Sequence, residues 1–204
     1  MTILRGIAAV FLLSAHAWAA DPHMTPAERQ KVIDLLVESR EQLLQSVDGL
    51  SAAQWTWKPS PERWSVGEVA EHITLAEGML FAKLEEAISN PPNPDWETKT
   101  AKKTEFLERV MPTRQGKAIA PDDIVPSGKW TQAEFHIKFE EARARTLKFT
   151  RETQVPLKEY TAEHPFPIFN TLNAYQWLIY IPWHNQRHVK QIEEVKTTPG
   201  FPKE

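Results

Sequence analysis

The residues with the clearest chemical capacity lie in "IPWHNQRHVKQIEEV", residues 181–195. His184 and His188 are four residues apart in what reads as a helix, so their imidazoles lie about 40° apart on one helical face. Trp177, Tyr180, Ile181, Gln191 and Val195 share that face. They form an apolar stripe with a polar patch, which points the pair inward. A buried imidazole without a partner costs on the order of 1–3 kcal/mol. A shared metal ion would satisfy both rings, and hydrogen bonds to Tyr or Gln would do so too. The pair alone leaves both readings open. His72, in "WSVGEVAEHI", adds a third imidazole among Val69, Leu75, Ala76 and Met79, on the core side of another helix. One imidazole from one helix and two from another leave a coordination position for water or substrate, which is the pattern of catalytic metals. Imidazole donors suit Zn, Ni, Cu or Fe and disfavour Mg and Ca.

The other polar groups near these histidines have plainer readings. The H-E-x-x-H motif of zinc proteases is absent, because Asn185, Gln186 and Arg187 fill the gap. Glu68 lies one turn before His72 and could reach it to orient the ring, but its place in a capping box accounts for it as well and is the preferred reading. Glu71 is about 100° round the helix from His72 and is expected to face solvent. Gln191 either holds the second nitrogen of His188 or is an ordinary polar residue near a helix end. Tyr180, one turn before His184, either packs in the core, the preferred reading, or hydrogen-bonds a substrate; His136 pairs with Glu140 on an exposed edge, and His164 sits on a loop as a rim residue. His23 belongs to the N-terminal segment. Pro182 removes a helical hydrogen bond, and a kink there would widen the space before His184. No Asp or Glu stands out as a general acid or base.

Four segments must position these groups. Thr25, Pro26 and Glu28 open the first helix through a capping box, and Val32, Leu36, Leu43 and Val47 give it an apolar stripe. Ser65 and Glu68 open the second, with Trp64 and Val69 as a hydrophobic staple, and it ends before Asn90-Pro91-Pro92. Thr131 and Glu134 open the third, whose stripe is Phe135, Phe139, Ala142, Thr146 and Phe149. The fourth starts near Asn170 or Thr171 and runs to about Val195, stopped by Thr197, Pro199 and Gly200. No segment alternates with period two, so no sheet is expected. Four such helices bury their stripes only against one another, which gives an all-α four-helix bundle. The segment 90–130 between the second and third helices is longer than bundle loops usually are. It contains a short helical candidate at 102–111 and reads as an ordered crossover.

The chain has 204 residues, 41% hydrophobic and 25% charged, which fits one globular domain. There is no cysteine, which excludes disulfides, thiolate nucleophiles and Cys-ligated zinc. The formal net charge of -3 gives no field for nucleic acid. Residues 1–19 read as a signal peptide: Arg5, a short apolar run and Ala17-Trp18-Ala19 as a cleavage pattern. An uncleaved anchor is the competing reading. The expectation is therefore a periplasmic or secreted domain over residues 20–204, with no stable membrane insertion after cleavage.

The pairing of "WSVGEVAEH" with "WHNQRHVKQIEEV" resembles the DinB-like four-helix bundle family, which includes thiol transferases. The resemblance extends over residues 50–73, 128–149 and 164–202, with 90–127 its least characteristic part. It implies a divalent metal on His72, His184 and His188, with Zn or Ni foremost, and a bundle with a long crossover between helices two and three. It also implies chemistry in which the metal lowers the pKa of a bound thiol. Low-molecular-weight thiols are mostly cytosolic, whereas this chain reads as exported, so hydrolysis of an ester or amide is the alternative use of the site. A bundle that binds metal or ligand without turnover is a further reading, and histidines acting only as core polar residues are the weakest. The expected partners are a small-molecule substrate and, at most, a second copy of the chain as a homodimer.

Overall fold

The computed structural model describes residues 20–116 and 119–203; the signal segment at 1–19 lies outside them. Four long helices dominate: α1 (Pro26–Val47), α3 (Val66–Ser89), α6 (Gln132–Glu152) and α7 (Ala174–Lys196). Short helices α2 (Ala52–Thr56), α4 (Trp96–Thr100) and α5 (Lys103–Val110) lie in the connections, with a 3-10 turn at Asp122–Ile124. The three expected capping boxes are formed at Thr25–Glu28, Ser65–Glu68 and Thr131–Glu134. Each lets a side-chain oxygen take a backbone N–H that the first helical turn leaves free.

α7 packs on both α3 and α1, and α6 packs on both α3 and α1. The bundle therefore places α1 diagonally across from α3, and α6 across from α7. The connection from α3 to α6 is the long crossover, carrying α4, α5 and the 3-10 turn.

The structure corrects two expectations about the elements. A small antiparallel hairpin is present, with β1 (Thr161–Glu163) paired to β2 (Thr171–Asn173). Three-residue strands are too short to establish a period of two in the sequence. The fourth helix accordingly begins later than expected. Asn173 ends β2 and caps α7, accepting from Gln176 N, while Asn170 adopts a left-handed turn at φ 53°. The helix then continues through Pro182 to Lys196.

The core stripes match expectation on α1, where Val32, Leu36, Leu43 and Val47 are all fully buried. On α6 the inward set is Phe135, Phe139, Arg143, Thr146 and Thr150. Arg143 is therefore a core residue. Its Nε and Nη2 donate to the two carboxylate oxygens of Glu77 on α3 at 3.0 and 2.9 Å, and both side chains are essentially sealed from solvent. Nη1 donates to Leu36 O and to Ser39 Oγ on α1, and Thr146 donates to Glu77 at 3.0 Å. Asn185 of α7 completes the cluster, with its amide oxygen turned to Arg143 Nη2 and its amide nitrogen to Ile181 O.

Removing one member of a buried pair strands the other charge. Glu77→Ala is expected to lower unfolding stability by about 3–5 kcal/mol in chemical denaturation. A Glu77→Leu/Arg143→Met double variant should recover much of that loss.

Candidate metal centre

α3 and α7 lie side by side, and their contact brings His72, His184 and His188 together. One nitrogen from each ring lies within 4.8 Å of those of the other two. Ring centroids are 4.4 Å apart for His184–His188, 4.5 Å for His72–His188 and 5.3 Å for His72–His184.

Two of the three rings have fixed tautomers. His72 Nδ1 donates to the carbonyl of Ile124 at 2.8 Å, which leaves its Nε2 with a bare lone pair. His188 Nδ1 donates to Gln191 Oε1 at 2.8 Å, with the same result. His184 differs: its Nδ1 is buried and has no partner among the described residues. Two aimed lone pairs and one orphaned imidazole make a donor set that fits a divalent transition metal. Gln191 thus has the orienting role that the sequence left open.

Glu71 corrects the sequence reading. It is buried, 2% exposed, and does not face solvent. One of its oxygens accepts from Ser127 N and Ser127 Oγ at 2.8 and 2.7 Å, and the other accepts from Gly128 N at 3.0 Å. Glu71 therefore anchors the crossover segment just past Ile124, whose carbonyl holds His72. The crossover folds back over this part of α3, so the far side of the helix is covered. Glu68, by contrast, stays in its capping box and pairs with Lys58. Trp64 staples α3 and also packs on the His72 ring at 4.8 Å.

All three histidines have their pKa lowered. Burial is the main cause for each; mutual repulsion adds to it at His184 and His188, and the Ile124 carbonyl opposes it at His72. The rings therefore stay neutral at neutral pH, as ligation requires. Tyr180 is pushed upward by burial and keeps its proton.

The centre borders a cavity of about 700 Å³, within the usual range for small-molecule sites. The crossover supplies one wall. Arg187 donates to the carbonyls of Thr113, Gln115 and Gly116, and Lys190 to that of Pro112, so α7 holds residues 112–116 in place. Arg114 returns a two-pronged pair to Glu194.

His164 lines this cavity from the hairpin loop and stacks on Trp177, with centroids 5.0 Å apart and planes 7° off parallel. His136 does not pair with Glu140, which instead bonds Arg40; its ring lies against Phe135. His23 pairs with Asp21 near the N-terminus of the described chain. No helix among the described residues is long and apolar enough to cross a membrane.

These features define a helical-bundle protein with a three-histidine centre opening on a substrate-sized cavity. The model of the DinB superfamily matches residues 35–192, and the chain belongs to that superfamily. It is 28% identical over 164 residues to the protein YuaE of Bacillus subtilis (strain 168), covering 78% of this chain and 93% of YuaE. It shares its fold with YfiT from Bacillus subtilis, described as "a probable metal-dependent hydrolase with an unusual four-helix bundle topology". That likeness has a TM-score of 0.60 at 16% identity and covers 91% of this chain and 95% of YfiT.

Burial pushes the His164 pKa from 6.5 down to about 4. Between those values the unfolded chain binds the proton and the folded chain does not, so acid favours unfolding. The stability His164 contributes is full above pH 6.5 and lost as pH falls toward 4. The melting-temperature difference between wild type and His164→Phe should narrow across that window, as differential scanning fluorimetry would show.

Proposed function

We propose that this protein is a metal-dependent enzyme of hydrolase type acting on a small molecule, with His72, His184 and His188 holding one divalent ion, Zn or Ni first. The observation that carries this reading is the pair of Nε2 lone pairs fixed by Ile124 and Gln191, beside the orphaned His184. A divalent ion held there supplies Lewis acidity and lowers the pKa of a water or thiol beside it.

The chain's own residues do the rest. The three neutral rings carry no charge that would repel the ion. Gln191 and the Ile124 carbonyl keep two of them from turning away. Arg187 and Lys190 hold the 112–116 wall so that the cavity keeps its shape. The protonated Tyr180 hydroxyl is a hydrogen-bond donor beside the centre and not a base. The lack of cysteine leaves any thiol to be brought by the substrate, so a thiol-transferring variant of this chemistry remains compatible with the site. The 1–19 segment supports an exported location. N-terminal sequencing of protein recovered from the extracytoplasmic fraction tests this, with a start near Ala20 as the expected result.

A binding role without turnover has its own support. The only His, Cys, Asp or Glu cluster able to hold a metal among the described residues contains no carboxylate. Glu194, on the cavity lining, is committed to Arg114.

Purified protein supplemented with Zn or Ni should carry about one equivalent by elemental analysis, and His184→Ala/His188→Ala should carry none. Sub-stoichiometric metal in the wild type sinks the proposal. With metal bound, hydrolysis of aryl esters or amides that the double variant lacks separates an enzyme from a binding module. Gln191→Ala and Glu71→Ala each free one imidazole from its anchor, so metal affinity should fall roughly 10- to 100-fold in competition with a chromogenic chelator.

A further inference from the structure

The cavity has two chemically distinct ends. One is the three-histidine centre. The other is the hairpin loop, where His164 lies over Trp177 and beside Phe169 and Tyr180, with centroid distances of 4.5 and 5.8 Å to the latter two. Tyr180 in turn meets His184 edge-on at 6.2 Å. The two ends are therefore one aromatic ring apart, close enough for a single small molecule to span them.

His164 has a fixed tautomer. Its Nδ1 accepts the backbone N–H of Phe166 at 2.9 Å, so the ring proton of the neutral form sits on Nε2. That N–H makes no hydrogen bond among the described residues. Trp177 stacks on one ring face, Phe169 and Phe166 lie against the ring at 4.5 and 5.4 Å, and the residue is part of the cavity lining.

Among the described lining residues, two of the three cationic side chains are already committed. Arg114 is chelated by Glu194, and Arg187 spends its donors on three carbonyls. Arg63 is exposed and adjoins Trp64, which packs on His72, so it belongs to the metal end of the cavity and not to the hairpin end. The mouth also carries apolar groups: Ile119 is 87% exposed and Val125 47%, and both line the cavity.

We infer that the substrate carries, at the end remote from the metal, an uncharged planar group with a hydrogen-bond acceptor, and that His164 is the residue that selects it. The planar group packs beside the His164 ring under the hairpin. Its acceptor, such as a carbonyl oxygen or ring nitrogen, takes the Nε2–H. This rests on the metal reading above, because the other end of the substrate is placed at the three histidines. His164 stays neutral over the physiological range because burial holds its pKa near 4, so it discriminates by shape and by one donor.

Hydroxamates serve as probes, since the hydroxamate grips a metal and the tail explores the remote end. Affinities of acetohydroxamate, benzohydroxamate and 4-carbamoylbenzohydroxamate for the Zn-loaded protein are measured by calorimetry. The phenyl tail should tighten binding about three- to tenfold over acetohydroxamate, the worth of an aromatic contact. The neutral carbamoyl acceptor should tighten it further. His164→Ala should bring all three probes to within about twofold of one another. His164→Phe should keep the phenyl gain and lose the carbamoyl gain. A phenyl gain that survives His164→Ala, or a 4-carboxylate probe that outcompetes the carbamoyl one, overturns the inference. If acetohydroxamate itself does not bind and no metal is found, the metal reading has failed instead. Circular dichroism of each variant, together with an unchanged acetohydroxamate affinity, shows that the fold and the metal end are intact.

Discussion

The Glu77–Arg143 pair sits where the four long helices meet. Arg143 comes from α6, Glu77 from α3, Leu36 O and Ser39 from α1, and Asn185 from α7. An apolar interface tolerates sliding, because one methyl contact substitutes for another. A buried guanidinium does not, since every unsatisfied N–H costs desolvation energy. One residue therefore fixes the relative heights of all four helices. Asn185 is the neighbour of His184 in sequence, and Glu77 is five residues beyond His72. The same network that sets the bundle register thus sets the distance across which the histidines face each other.

The crossover does the second half of the positioning. A bare four-helix bundle would leave the His72 side of α3 open to water. Here Glu71 takes three donors from Ser127 and Gly128, and the segment so anchored lends its Ile124 carbonyl to His72. On the other side, Arg187 and Lys190 clasp residues 112–116. The long connection is therefore the wall of the cavity and the clamp on a site residue.

Much of this was legible in the sequence. The capping boxes placed the starts of α1, α3 and α6, because each depends on chemistry three residues apart. His72, His184 and His188 were legible because i, i+4 spacing and inward stripes are local signals. What could not be read depends on contacts distant in sequence. Glu71 looked solvent-facing because helical angle alone does not reveal a crossover folding back 56 residues later. Arg143 was absent from the expected stripe of α6, because the partner that lets it be buried lies 66 residues away. His164 looked like a rim residue because its stack on Trp177 needs the hairpin, and three-residue strands leave no periodic trace. A charged residue in register with an apolar stripe, as Arg143 is with Phe139 and Thr146, was the available signal for the buried pair.

The packing of α1 against α7 also governs when this protein can become complete. The two helices stand at opposite ends of the described chain, so the contact closes one of the largest loops the chain can make. Helical bundles with short connections fold quickly because their contacts are local, and this one forgoes that advantage. As the chain emerges from its N-terminus, the apolar face of α1 has no α7 to cover it until the last thirty or so residues are available. His72 waits equally long for His184 and His188. An ion that needs all three imidazoles therefore finds its full donor set only once α3 and α7 have met.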